Sequence, residues 1–169
     1  MRDGLQVTIR PIRPEDEPMM VAFHATLSDR SVYLRYFTSL SLSRRTAHER
    51  LIRICTVDYE RDMVLIAEHR DPQTGGQQIV AVARLNQLPS DRPHKEAEVA
   101  ALVSDRYQHQ GLGTELLHRL IQIARDKRIS RLVAEMLWDN LPMQAVLKSL
   151  GFQFRLPSDG ASVQAVLDL

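Results

Sequence analysis

The most informative segment of the sequence is EVAALVSDRYQHQGLGT, residues 98–114. Residues 97–103 form an almost unbroken apolar run in which Glu98 is the only charge, a pattern typical of a buried central strand. A short polar loop follows, and Gly111 and Gly113 then begin a segment with helical periodicity. Because glycine lets the backbone approach a ligand closely, this order of strand, loop and helix indicates a ligand-binding turn.

The start of this helix is suited to an anion. The first amides of a helix have no acceptor within it, and the helix dipole places partial positive charge at the same end. The Thr114 hydroxyl can add another donor. The chain has neither the Lys-Ser/Thr pair of a P-loop nor the three spaced glycines of the dinucleotide fingerprint. We interpret the loop as a pyrophosphate site; the alternative is a tight turn without a ligand.

Hydrophobic periodicity predicts the elements around this loop. A helix over residues 111–127 would bury one apolar face, made of Leu112, Leu116, Leu117, Leu120, Ile121 and Ala124. Asn140 is expected to begin a later helix and Gly151 to end it in a left-handed C-cap. Strands are predicted over 5–12, 63–68, 79–88, 97–103, 132–137, 152–154 and 163–167, with turns at 71–76 and at Pro157 and Gly160 and a loop over 89–93. The other predicted helices run from Pro14 to Leu27, over 28–37, and from a cap at Ser43 to about Cys55.

Length and composition set the class of protein. The pattern is an α/β mixture around one sheet, and 169 residues suit a single domain, 1–169. A hydrophobic fraction of 44% is enough to fill one core. Because the formal net charge is only +1, charge gives no support for nucleic-acid binding. The six histidines show no metal-ligand spacing, so no metal is expected.

The sequence also indicates a compartment. No apolar stretch approaches the ~20 residues that span a membrane, and no apolar segment of a signal peptide follows the first charges. The one cysteine, Cys55, has no internal disulfide partner, which favours a reducing environment. We therefore expect a cytoplasmic protein without a membrane partner.

These motifs resemble those of the GNAT family, the Gcn5-related N-acetyltransferases. The family signature Gln/Arg-x-x-Gly-x-Gly/Ala corresponds to QHQGLG at 108–113, and its second landmark corresponds to Asn140 followed by Gly151 and Phe152. The segments RPIRPEDE (10–17), SVYLRYF (31–37) and TVDYERDMVLIAE (56–68) resemble the bacterial protein lysine acetyltransferases in particular. In that branch the domain is often fused to an acyl-CoA synthetase-like or cyclic-nucleotide-binding domain. These 169 residues contain neither, so regulation by such a domain is not expected.

The resemblance implies a mixed, mostly antiparallel central sheet flanked by helices, with acetyl-CoA as cosubstrate. It implies that backbone amides of the loop hold the CoA pyrophosphate, the residues being Gln108, His109, Gln110, Gly111, Leu112, Gly113 and Thr114. Leu102 and Val103 would pair with the pantetheine arm like an added strand, and Asn140 would form a hydrogen bond near it.

Glu98 is the candidate general base. Acetyl transfer to an amine requires that the amine lose a proton, and burial raises the pKa of a carboxyl toward neutrality, which suits a base. In histone and related lysine acetyltransferases a Glu in a similar AEVA context on this strand has that function, and residues 97–100 match it. The alternative is a solvated Glu98, or one paired with Arg84. Glu96 is the second candidate base.

Four further positions bear on mechanism. Many family members carry a Tyr, proposed to protonate the leaving thiolate, where this chain has Leu147, so solvent is left as the proton source. No base adjoins Cys55 in the sequence, which disfavours a covalent acyl-enzyme. Tyr33 and Arg35 lie on a helix that, by the resemblance, borders the acceptor groove.

The leading hypothesis is direct acetylation of an amine, preferably a protein lysine, in a ternary complex with acetyl-CoA. A small-molecule amine acetyltransferase and a catalytically silent acyl-CoA sensor are the alternatives.

Overall fold

A computed structural model describes residues 6–72, 74–89, 94–155 and 162–169. Its strands are β1 (Thr8–Pro11), β2 (Asp62–Arg70), β3 (Gln77–Gln87), β4 (Glu96–Val103), β5 (Arg131–Leu137), β6 (Gln153–Arg155) and β7 (Ser162–Asp168). Its α-helices are α1 (Glu17–Ala25), α2 (Asp29–Tyr36), α3 (Leu42–Arg45), α4 (His48–Cys55), α5 (Leu112–Asp126) and α6 (Leu141–Ser149). Single 3₁₀ turns lie at Pro14–Asp16 and Asp105–Tyr107.

The strands of the described ranges form one seven-stranded sheet in the order β1-β2-β3-β4-β5-β7-β6. All neighbouring pairs are antiparallel except β4 and β5, which are parallel. This parallel pair is short, since its register runs only from Glu96 opposite Arg131 to Glu98 opposite Val133. Beyond Glu98 the two strands separate, and the middle of the sheet opens into a cleft. The α/β class and the mixed, mostly antiparallel sheet are confirmed.

Two hydrophobic cores cover the two faces of the sheet. The α5 and α6 face is packed by Leu116, Leu120 and Leu147 against small residues of the central strands. The opposite face is packed by α1 and α4, which contribute Phe23 and Leu51. All six residues predicted for the apolar face of α5 are buried, because a regular 3.6-residue repeat on a long helix is a strong local signal.

The predicted third helix was wrong in its start and its continuity. The cap is Ser41, whose hydroxyl accepts from the Arg44 amide at 3.4 Å, while Ser43 lies inside α3. The helix is interrupted between α3 and α4. There the Thr46 hydroxyl donates to the Leu42 carbonyl at 2.7 Å, and Ala47 takes an extended conformation. A side-chain hydroxyl that bonds a nearby backbone group in this way competes with helix continuation.

The other boundaries agree within a few residues. Asn140 caps α6, and Gly151 follows that helix with a φ of 89°. The Asp71–Gly76 turn is closed by hydrogen bonds of 2.9 Å from the Asp71 amide to the Gly76 carbonyl and of 2.8 Å from the Gly75 amide to the Asp71 carbonyl. The predictions that fell on Leu5, on residues 90–93 and on the turn at Pro157 and Gly160 lie outside the described residues. In the described ranges, no helix has the length and apolar content needed to cross a membrane.

Burial of His24 makes stability depend on pH. Burial lowers its pKa to about 4, and the positive charges of Arg50 and Arg45 add to the effect. An unfolded His titrates near its ordinary value of 6.5, so between pH 6.5 and 4 the unfolded chain binds more protons than the folded chain. The free energy of unfolding is therefore unaffected by His24 above pH 6.5. It decreases as the pH falls through this window, by up to about 3 kcal/mol.

We therefore expect His24→Leu to lose less free energy of unfolding than the parent chain between pH 7 and pH 4.5. Denaturant titrations at both pH values measure the difference. An equal loss in the two proteins would show that His24 carries no such penalty. Asp16 and Asp105 do not affect this comparison. Their pKa values lie below the ordinary 3.8, so their protonation destabilises the fold only at lower pH.

Candidate functional site

The separation of β4 and β5 creates a groove with a volume of about 1520 Å³. One wall is β4 from Val99 to Val103, the other is β5 from Ala134 to Met136, and the loop before α5 closes one end. β4 pairs with β3 along its length, but after Glu98 its other edge has no strand partner among the residues that the structure describes. Such an open backbone edge can accept an extended ligand as an added strand.

The loop before α5 presents unused backbone donors to the groove. His109 and Gly111 have positive φ values of 61° and 89°, and α5 begins directly after Gly111. Among the described residues, no acceptor is found for the backbone amides of residues 109–114, whereas the Glu115 amide donates to the Gly111 carbonyl at 3.0 Å. A series of free amides at a helix start forms an anion site.

The glycines leave this surface open. A Cβ on Gly111 would meet no atom within 4 Å, and one on Gly113 would touch only the Val103 side chain at 3.8 Å. Gly113 is therefore not needed for close packing inside the protein, and its missing side chain leaves space beside the helix start.

Gln108 fixes the loop. Its side-chain amide donates to the Val103 carbonyl and to the Ser31 hydroxyl, both at 3.1 Å, and its backbone amide donates to the Asp105 carbonyl at 3.4 Å. The structure therefore gives the Gln108 side chain a positioning function, whereas residues 109–114 supply the free amides.

Asp105 ties the loop to α2, a contact that the sequence did not reveal. Its carboxylate accepts from the Ser28 amide at 2.9 Å, the Ser28 hydroxyl at 2.6 Å and the Ser31 hydroxyl at 2.9 Å. Burial acts to raise the pKa of Asp105, but these hydrogen bonds outweigh it and hold the pKa below its usual range. The only signal in the sequence was an acid two residues after a buried strand, and the hydrogen-bond partners of Asp105 lie more than 70 residues away.

Leu102, Val103 and Asn140 all line the groove. The Asn140 side-chain oxygen accepts from the Met143 amide at 3.3 Å and caps α6. Its side-chain nitrogen has no acceptor among the described residues and is available to a ligand. Leu147 is fully buried in the core on the α5 side. Because its side chain is a hydrocarbon, this position offers no proton donor.

Glu98 lies where β4 and β5 part, immediately before the segment that lines the groove. It is half-buried and not enclosed as the apolar run suggested, because only the α5 face of β4 is fully packed. Its cross-strand neighbour is Asn86. Arg84 pairs with Asp62 at 3.9 Å and not with Glu98, while Glu96 pairs with Arg131 at 3.4 Å.

A second cavity of about 520 Å³ lies on the α1–α4 face of the sheet. Arg35 from α2 lines both this cavity and the groove. Tyr33 is largely exposed and lines neither. Cys55 is buried in the core beneath α1 and α4 and does not line the groove. In the described part of the chain, no group of three or more His, Cys, Asp or Glu side chains could hold a metal ion.

Known proteins resemble this chain in sequence and in fold. A model of the acetyltransferase (GNAT) domain matches residues 6–153. An acetyltransferase of Pseudomonas aeruginosa is 28% identical over 163 residues, 95% of this chain and 83% of that protein. The acetyltransferase Pat of Mycolicibacterium smegmatis is 28% identical over 151 residues, which are 89% of this chain but 42% of Pat. The GNAT domain of S. lividans PAT superposes with a TM-score of 0.87 at 30% identity, over 99% of this chain and 93% of that one.

Proposed function

Because the chain belongs to the GNAT family of N-acetyltransferases, we propose that it transfers the acetyl group of acetyl-CoA directly to the side-chain amine of a protein lysine. The observation that carries this proposal is the groove between β4 and β5, which ends at the free amides of residues 109–114. One end suits a pyrophosphate and the other adjoins Glu98.

The lining of the groove offers contacts for each part of a CoA thioester. Backbone amides of His109, Gln110, Gly111, Leu112, Gly113 and Thr114 would hold the pyrophosphate. The pantetheine arm would lie along Leu102 and Val103, with Asn140 supplying a side-chain donor from α6. Acetyl-CoA, once bound, supplies an activated acyl carbon with a thiolate as leaving group.

Glu98 is placed to act as the general base. A lysine ammonium has no lone pair, so its nitrogen must lose a proton before it attacks the acyl carbon. The new C–N bond forms as the C–S bond breaks, and the thiolate takes its proton from solvent because Leu147 offers none. Glu98 would take the amine proton directly or through one water.

The lysine acceptor is supported by the resemblance of residues 10–17, 31–37 and 56–68 to bacterial protein lysine acetyltransferases. The test is thiol release from acetyl-CoA with lysine peptides and with small amines as acceptors. Faster release with peptides supports a protein acceptor, and release only with small amines replaces it. Binding of acetyl-CoA without release by any acceptor would identify an acyl-CoA sensor.

Direct transfer predicts that Cys55→Ala retains most of the activity. The Cys55 side chain is 1% exposed, and burial, with the nearby acids Glu17 and Asp16, raises its pKa to about 11. A thiol in this state is not a nucleophile at neutral pH. Initial-rate plots against both substrates should intersect. Parallel plots, or an acetylated Cys55 peptide that disappears when acceptor is added, would refute direct transfer.

A further inference from the structure

Four arginines line the second cavity, namely Arg35, Arg50, Arg53 and Arg84. The rest of the lining is the Tyr36 ring, apolar side chains and His24, which is neutral at pH 7 because burial lowers its pKa. The guanidinium carbons of Arg35 and Arg50 lie 5.1 and 4.4 Å from the centre of that ring. Contacts of this kind hold guanidinium groups in defined positions. In the described ranges, no Asp or Glu lines the cavity.

These cations are poorly compensated. Within the described residues Arg35, Arg50 and Arg53 form no ion pair, and Arg84 has a single long one, 3.9 Å to Asp62. The Nε atoms of Arg50 and Arg84 and both ring nitrogens of His24 are buried without a hydrogen-bond partner. Buried donors left unpaired are costly, so an anionic group in this cavity would relieve the cost.

The electrostatics of Arg35 point the same way. Burial lowers its pKa, and the charges of Arg84 and Arg50 act in the same direction against the opposing effects of Tyr36 and Glu98. An anion placed among these groups would favour the charged form of the guanidinium and oppose this lowering.

The cavity adjoins the proposed reaction centre. Arg35, Ala100 and Leu102 line both the cavity and the groove. On β4, Ala100 lies two residues after Glu98 and on the same face, a separation of ~7 Å along a strand. A group that occupies the cavity beside Ala100 therefore lies about two strand residues, ~7 Å, from Glu98.

We propose that this cavity binds a carboxylate of the acceptor, next to the amine that is acetylated. Guanidinium groups recognise carboxylates with paired hydrogen bonds, and Arg50 and Arg84 provide the donors. For a protein acceptor the carboxylate belongs to an Asp or Glu beside the target lysine. This inference rests on the proposed function and extends it to the substrate class.

The test compares two lysine peptides that differ only by Glu or Gln next to the lysine. Acetyl transfer and calorimetric binding are measured for the parent chain, Arg84→Gln, Arg50→Gln and the control Arg44→Gln, an exposed residue of α3 outside the cavity. We expect kcat/KM about tenfold or more higher for the Glu peptide with the parent and the control. The ratio should fall to near one in Arg84→Gln and Arg50→Gln, with acetyl-CoA affinity unchanged. Thermal unfolding verifies that each variant is folded. If only one of the two cavity variants folds, its ratio alone decides the test.

The outcomes separate this inference from the proposed function. Equal transfer to both peptides by the parent chain overturns the carboxylate site and leaves the acetyltransferase in place. If neither peptide is acetylated, the proposed acceptor is wrong, and the calorimetric binding data then decide on the carboxylate site. Tighter binding of the Glu peptide than of the Gln peptide by the parent chain, with this difference lost in the cavity variants, still supports the site. Equal binding of the two peptides overturns it. Free glutamate is tested as a third acceptor. Its acetylation in preference to both peptides would support the carboxylate site but would replace the protein lysine by a small amine as the acceptor.

Discussion

Gly111→Val weakens acetyl-CoA binding by two orders of magnitude or more. The φ of 89° at Gly111 is strained for any residue with a Cβ and most of all for a branched one. The new side chain would project into the open space that Gly111 leaves beside the free amides, while relief of the strain would turn those amides away. Each charge-assisted hydrogen bond lost costs ~1.5–3 kcal/mol, so losing two gives the expected effect. Calorimetric titration with CoA measures it.

Gly75→Val is the matched control. Gly75 also has a positive φ, 69°, and open space around its Cβ position, but it lies in the β2–β3 turn. The two variants should therefore be strained to a similar extent, and only Gly111→Val should lose CoA affinity. Unchanged CoA affinity in folded Gly111→Val would refute the assignment of the loop.

Glu98→Gln lowers kcat by ~10²- to 10⁴-fold near neutral pH and leaves acetyl-CoA affinity intact. The amide has the shape of the carboxylate but cannot accept the amine proton. The defect should shrink at high pH, as a growing fraction of the acceptor amine loses its proton unaided toward its pKa of about 10.4.

Glu96→Gln is the control for this variant. Glu96 lies on the same face of β4, two residues before Glu98, and is paired with Arg131 at 3.4 Å. We expect it to keep most of the activity. Full activity of Glu98→Gln at pH 7 would remove Glu98 from the mechanism, and a large loss in Glu96→Gln would transfer the function of base to that residue.

The sequence was most informative where the determining interactions are local. The apolar face of α5, the cap at Asn140 and the left-handed conformation of Gly151 depend on residues within a few positions of each other. Capping and glycine conformations are therefore readable from single segments. The start of α3 shows the limit of such predictions. Ser41 and Ser43 are both suitable cap residues, and the backbone conformation in the folded chain makes Ser41 the cap.

Features that depend on distant residues were not predictable. Asp105 meets Ser28 and Ser31 only after α2 has folded onto the end of β4. Glu98 is only half-buried because the α5 face of β4 alone is fully packed, and the packing of each face depends on helices that are distant in the sequence. The cavity of arginines combines α2, α4 and β3, and its charges are spread over residues 35–84 of the sequence.

A crystal structure with acetyl-CoA is the decisive experiment for the proposed function. We expect pyrophosphate oxygens within ~2.7–3.2 Å of backbone amides of residues 109–114 and the pantetheine arm along Leu102 and Val103. We also expect the thioester to lie near Glu98, with the groove above it open wide enough for a lysine side chain. A pyrophosphate bound away from the loop, or a thioester remote from Glu98, would contradict this proposal.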